Sequence, residues 1–204
     1  MNKLKISQVQ FQASHVPALN AKIIEKSFNN TLKFKPHLIC TPECSNIITN
    51  DKSYLIFNAP YQNTCPVLKM AKDFAKKNKV NINLGSLLLR IKNKSKLVNR
   101  SFFINNYGVI KKTYDKIHMF DVEINNKEKH QESSLFKAGN KIIFTKINNI
   151  KLGMTICYDL RFPNLYRQLA KKDCSIILVP AAFTRPTGKD HWEVLNRSRA
   201  IENN

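Results

Sequence analysis

Three side chains of complementary chemistry stand where stretches read as buried strands give out. Cys157 closes the β-branched stretch in KLGMTICYDLRFP, Glu43 follows HLICTP, and Lys116 follows VIKKTYD. A thiol attacks a carbonyl carbon only as its thiolate. A carboxylate can take that proton, and an ammonium can steady both the thiolate and the oxyanion of a tetrahedral intermediate. The backbone N–H of Tyr158, just past the thiol, is the natural second donor to such an oxyanion. No histidine is needed. His118 lies two residues after Lys116, which on a strand puts it on the same side, in a supporting role. Taken singly, each of the three has an ordinary explanation: a solvated glutamate, a surface pair between Lys116 and Asp115, a small buried thiol. Their combination points to nucleophilic acyl transfer.

The elements that must position these groups read as follows. Residues 3–11 alternate like a strand, and residues 18–32 carry Leu19, Ile23, Ile24 and Phe28 on one helical side. PHLICTPE is a short buried strand. In CPVLKMAKDFAKKNK, Val67, Met70, Ala71, Phe74 and Ala75 follow the i, i+3, i+4, i+7, i+8 pattern of an amphipathic helix. VNINLGSLLLRI, KLVNRSFFINN and YGVIKKTYDK read as successive strands. Residues 121–140 are polar and read as a long functional loop. A strand up to Cys157, a helix over 163–172 and the strand CSIILVP form a strand–helix–strand unit, which predicts a parallel pair. A helix over KDHWEVLNRSRAIENN follows with no cap or closing element, so the reading expects a chain that stops in mid-fold. In an open α/β sheet, the crevice beyond the carboxyl ends of the strands is the usual ligand site. All three reactive groups fall at such ends.

The bulk numbers restrict the partners. The chain has 204 residues, enough for one sizeable domain over residues 1–204. It has no long uncharged apolar run, so no membrane partner is expected. The N-terminal MNKLKISQVQF lacks the apolar core and small-residue cleavage site of a secretory signal. Its five cysteines are irregularly spaced and no second Cys/His pair stands at zinc-ligand distance, so neither a metal nor a disulfide framework is expected. Free thiols fit a reducing, cytoplasmic setting. The formal charge of +20, from 34 Lys+Arg against 14 Asp+Glu, admits nucleic-acid binding. The lysines, however, travel with asparagines (NKEKH, IKNKSKLVNR, KINNIK) over solvated faces and form no stripe interleaved with aromatics. Codon drift in an AT-rich genome produces that pattern, and no nucleic-acid partner is expected.

The residues also carry a resemblance. TPE with Glu43, YDKIHMFD with Lys116, HQESSLFKAG with Glu132 and GMTICYDLRFP with Cys157 occur in the order and spacing of the nitrilase, or carbon–nitrogen hydrolase, superfamily. The likeness runs from the first strand to Asn204. It implies an α/β fold, the α-β-β-α sandwich of that superfamily, truncated at the C-terminus and forming one half of a homodimer. It also implies roles. Glu43 is the general base, Lys116 stabilises the intermediate, Cys157 forms a thioester, and Glu132 positions the substrate amide and Lys116. No cofactor takes part. DVEI, HWEVL and YDLRFP resemble the branch that contains deaminated glutathione amidase and omega-amidase, which implies a small carboxylated primary amide as substrate and release of ammonia.

Within that site Arg161 is either a two-pronged clamp for the substrate carboxylate or an internal partner of Asp159. Tyr158, Phe183 and Thr184 are expected to line the pocket. Two positions depart from the pattern. Asn164 stands where glutamate is usual after RFP, and Cys44 follows the general base, where it is either an oxidisable thiol or a space-filler.

Overall fold

The computed structural model describes residues 3–125 and 128–204. Its strands are β1 (Ile6–Gln8), β2 (Leu38–Cys40), β3 (Asn81–Arg90), β4 (Leu97–Ile104), β5 (Ile110–Asp115), β6 (Asp121–Asn125), β7 (Glu128–Gln131), β8 (Ile143–Ile147), β9 (Ile150–Met154) and β10 (Ile176–Leu178). The helices are α1 (Pro17–Thr31), α2 (Lys52–Asn58), α3 (Pro66–Asn78), α4 (Pro163–Ala170) and α5 (Arg185–Asn203). Proline occupies the first turn of α1, α3, α4 and α5. Its fixed φ suits that turn, and the N–H it lacks would have had no partner there.

One sheet has the order β1-β2-β3-β4-β5 and a second the order β10-β9-β8. Strands β1, β2 and β3 run parallel, and β4 and β5 are each antiparallel to their predecessor. Two reversals restore the direction, so β5 ends on the same side of the sheet as β2. Leu38, Phe103 and Tyr114 from the first sheet meet Leu152, Met154 and Leu178 from the second in one apolar layer between them. On the outer face of the larger sheet, Ile24 and Phe28 of α1 and Val67, Ala71 and Phe74 of α3 cover Ile82, Leu84 and Phe102. On the outer face of the smaller sheet, Leu165 and Leu169 of α4 and Leu195 of α5 gather with Phe144 and Ile177. The layering is the expected α-β-β-α sandwich. No helix among the described residues is long and apolar enough to cross a membrane.

Three local readings change. In the polar segment 121–140, the described residues include the antiparallel pair β6–β7 and a 3-10 turn at Glu132–Ser134, so backbone pairing orders them despite their polarity; residues 126–127 of that expected loop lie outside the described residues. The single strand expected before Cys157 is the hairpin β8–β9. Ile147 pairs with Ile150 across a two-residue turn, with Asn148 at φ 53°; asparagine tolerates that left-handed conformation better than most residues. Helix α2, which the sequence reading passed over, is capped by the Asp51 side chain accepting from the Tyr54 N–H at 2.9 Å. The parallel pairing of β9 and β10 is as expected.

Candidate active site

The site is built where β2, β5 and β9 end. Glu43 sits on a turn that is tied to β3 where the β3–β4 register slips between Leu84 and Leu87. That irregularity turns β3 groups toward the Glu43 turn. The Gly85 N–H donates to Thr41 Oγ1 at 2.9 Å, and the Cys44 N–H donates to Ser86 Oγ at 2.9 Å. Gly85 is required there, because a Cβ would collide with the carbonyl oxygens of Thr41 and Pro42. Lys116 is the first residue past β5; its N–H donates to Asn99 O at 3.0 Å and its carbonyl accepts from Gly139 N at 2.8 Å. Cys157 opens a 3-10 turn after β9, with φ at 48°, and its own N–H is bound to Pro180 O at 2.9 Å. A cysteine held in the left-handed region is strained, and strain of that kind concentrates at functional turns.

The four groups carried by the motifs converge. Lys116 Nζ lies 3.2 Å from Glu43 Oε1, and 3.0 and 2.8 Å from the two Glu132 oxygens. Glu43 is fixed further by the Asn99 amide, which donates to Oε1 at 2.9 Å, and by the Ala182 N–H, which donates to Oε2 at 2.9 Å. Glu132 Oε2 accepts from the Phe120 N–H at 2.7 Å. Glu43 is 7% and Lys116 2% exposed, so the network is nearly dry and each charge depends on its partners.

The surroundings set the protons. Desolvation is the largest influence on Lys116 and favours the neutral amine. The Glu43 and Glu132 charges and the Glu132 hydrogen bond, joined by the Cys157 charge whenever the thiolate forms, outweigh it and hold the ammonium protonated. For Cys157, burial and then the Glu43 charge push the thiol well above its ordinary range, against the opposing pull of Lys116 and of the Ala182 N–H. The resting nucleophile is therefore a neutral thiol beside a carboxylate.

A cavity of about 320 Å³ opens over these groups and is lined by Glu43, Lys116, Glu132 and Cys157 among others. Tyr158, Phe183 and Thr184 also line it. The Tyr158 N–H is the second of the 3-10 turn and so has no partner within it. Thr184 also caps α5, accepting from the Thr187 N–H at 3.4 Å. Arg161 is placed differently from both expectations. It is not among the residues lining the cavity; its Nη2 meets His191 Nδ1 at 2.6 Å and its guanidinium lies 5.7 Å from the Tyr158 ring centre. Asp159 takes its hydrogen bonds elsewhere: from the His118 N–H at 3.0 Å and His118 Nδ1 at 2.7 Å on Oδ1, and from the Tyr114 hydroxyl at 2.6 Å and the Ile156 N–H at 2.9 Å on Oδ2. Fully buried, it joins the segment that carries Lys116 to the turn that carries Cys157.

His118, stacked on Phe162 at 3.6 Å, supports that joint. Asn164 is exposed at the start of α4. Cys44 lines the cavity with φ at 55°, its thiol pushed up by burial and then by Glu43. Sequence reasoning missed Asn99, Ala182 and the bracing role of Asp159. Only the last left a trace, as an acidic residue two places after the thiol.

With this geometry established, the comparisons with known proteins agree on one family. The profile of the family described as Carbon-nitrogen hydrolase matches residues 6–204. A deaminated glutathione amidase of Dictyostelium discoideum is 36% identical over 210 residues, covering 100% of this chain and 72% of that protein. One from Yersinia enterocolitica is 39% identical over 168 residues, covering 81% of this chain and 58% of its own. Among solved structures, the C. elegans NitFhit protein superposes with a TM-score of 0.87 at 30% identity, over 98% of this chain and 48% of that one.

Proposed function

The chain belongs to the carbon–nitrogen hydrolase family, and on that premise we propose that it is an amidase that cleaves a small carboxylated amide through a thioester on Cys157. The observation that carries this reading is the Lys116 ammonium held between Glu43 and Glu132 in the cavity that also contains the strained Cys157 turn. In the first half-reaction, Cys157 Sγ attacks the amide carbon as its proton passes to Glu43. Lys116 and the Tyr158 N–H receive the oxyanion. Collapse breaks the C–N bond, and Glu43 returns the proton to the leaving nitrogen. In the second, Glu43 takes a proton from water, which attacks the thioester; the acid leaves and the thiol is restored. Glu132 keeps Lys116 charged and aimed.

The substrate chemistry divides by leaving group. α-Ketoglutaramate is a primary amide and releases ammonia. Deaminated glutathione carries secondary amides, so cleavage at its keto-acid amide releases cysteinylglycine, and the expectation of ammonia holds for the primary amide alone. Both yield α-ketoglutarate. The test is therefore α-ketoglutarate formation from each compound by the purified protein, with ammonia measured in parallel. Wild-type protein that forms no α-ketoglutarate from either compound overturns the reading. So does a Cys157→Ala variant that keeps its rate, since loss of the nucleophile should remove several orders of magnitude.

A further inference from the structure

Arg161 does not reach the cavity, and this leaves the acid end of an anionic substrate without the partner the sequence suggested. The charges that line the cavity indicate another. Among the described lining residues the acidic ones are Glu43 and Glu132, and the basic ones besides histidine are Lys116, Lys52 and Lys129. The two glutamates and Lys116 are bound to one another at 2.8–3.2 Å. With the thiol neutral, the floor of the cavity carries a net charge of about −1, the sum of two carboxylates and one ammonium. Such a floor repels a carboxylate. An anionic amide therefore enters productively only with its acid end held away from Cys157.

Lys52 and Lys129 stand where that end would lie. Both are exposed while also lining the cavity, which puts them at its mouth. They come from separate elements: Lys52 begins α2 and Lys129 is on β7. Among the described residues Lys129 pairs weakly with Glu123, 3.5 Å from its Oε2, with both side chains more than half exposed. Solvent screens a pair of that kind, so its ammonium can be shared with a ligand.

We propose that Lys52 and Lys129 form a carboxylate-receiving rim that orients an anionic amide, acid outward and carbonyl toward Cys157. The proposal rests on the amidase reading for what the amide end does, but the rim is testable by binding alone.

The test uses the full chain as Cys157→Ala, so that no turnover intervenes, and two probes of equal length: succinamate, which is anionic, and butyramide, which is neutral. Affinities are measured by NMR titration at low and high salt. The background variant should bind succinamate the more tightly, and salt should weaken that preference. Adding Lys52→Gln and Lys129→Gln together should weaken succinamate binding by about three- to tenfold, the effect of losing two solvent-screened charge contacts, and flatten its salt dependence. Butyramide binding should not move.

Three results overturn the proposal: no succinamate binding to the background variant, an unchanged succinamate affinity in the double variant, or an equal loss for both probes. The amidase reading fails by a different signature, the absence of α-ketoglutarate from wild-type protein, which leaves the binding result standing.

Discussion

Replacing Asp159 by asparagine tests whether the site is held together at one buried carboxylate. The side chains have nearly the same shape, so the effect follows from hydrogen-bond capacity. Each oxygen of Asp159 accepts two bonds: Oδ1 from the His118 N–H and ring nitrogen, Oδ2 from the Tyr114 hydroxyl and the Ile156 N–H. Asparagine offers one oxygen and an NH2 that cannot accept. If the NH2 replaces Oδ2, the Tyr114 hydroxyl can turn and accept, but the Ile156 N–H cannot. If it replaces Oδ1, the His118 ring can change tautomer, but the His118 N–H cannot. Either orientation leaves one buried backbone donor against another donor.

An unsatisfied buried donor costs about 1–3 kcal/mol, and the remaining bonds lose the strength a charged acceptor gave them, so the total is roughly 2–4 kcal/mol. For a chain of this size that is a fall in melting temperature of roughly 4–16 °C. The two orphaned positions flank the chemistry, one residue before Cys157 and two after Lys116. At a temperature where the variant is still folded, kcat/KM for α-ketoglutaramate should fall by about 10²-fold, as misplacement of reacting groups by about 1 Å does. Calorimetry and steady-state kinetics on the same preparation check both figures. A variant that melts within about 1 °C of wild type, or melts lower but keeps its kcat/KM, refutes the reasoning.

Two further outcomes follow from particular contacts. Gly85→Ala places a methyl against the Thr41 and Pro42 carbonyls and 2.6 Å from Pro180 Cβ. It should destabilise by about 3 kcal/mol, the upper end for an inserted methyl, read by denaturant titration, and should lower activity by moving Glu43. Stability should be level near neutral pH and fall above pH 9. Burial raises the Cys40 and Cys65 thiols from 9.0 to about 12 and about 11. Between the unfolded and folded values the native chain binds more protons than the unfolded one, so raising the pH favours unfolding, by up to about 1.4 kcal/mol per pH unit per thiol. Melting temperatures from pH 6 to pH 10 check the sign; a midpoint that rises over the upper part of that range contradicts it.

Three groups of the candidate site were legible because they are residue types placed at strand ends. Glu43, Lys116 and Cys157 each follow a stretch read as a strand, and α/β topology brings such ends together. Apolar spacing read α1 over 18–32 and α3 within CPVLKMAKDFAKKNK, and the helix read over 163–172 is α4, each within about two residues of its observed ends. The β8–β9 turn was available in KINNIK and was passed over: two asparagines between alternating apolar residues are a hairpin signal, but in a chain full of Lys and Asn they read as drift. Strand β6 alternates Val122 and Ile124 with polar residues, but β7 (EKHQ) has no apolar residue, so periodicity could not report their pairing. Arg161 failed for a different reason. Its spacing from Cys157 is local, but its direction is fixed by a contact with His191 on α5, and nothing near residue 161 specifies that.

The neutral resting thiol follows from the same network and bears on how the reaction starts. Ionising Cys157 with loss of its proton to solvent would take the floor of a nearly dry site from about −1 to about −2, the arrangement that burial and Glu43 oppose most strongly. Passing the proton to Glu43 instead leaves the total charge unchanged. The negative charge then moves from one neighbour of Lys116 to another, since both groups help to keep that ammonium protonated. In the proposed reaction the charge next moves to the amide oxygen, where Lys116 and the Tyr158 N–H receive it. The thiolate therefore forms only as the carbonyl accepts the charge. Glu43 is held for that transfer by Asn99 on one oxygen and Ala182 on the other. A solvated carboxylate would have to shed water before each proton it took, whereas these two donors are already in place.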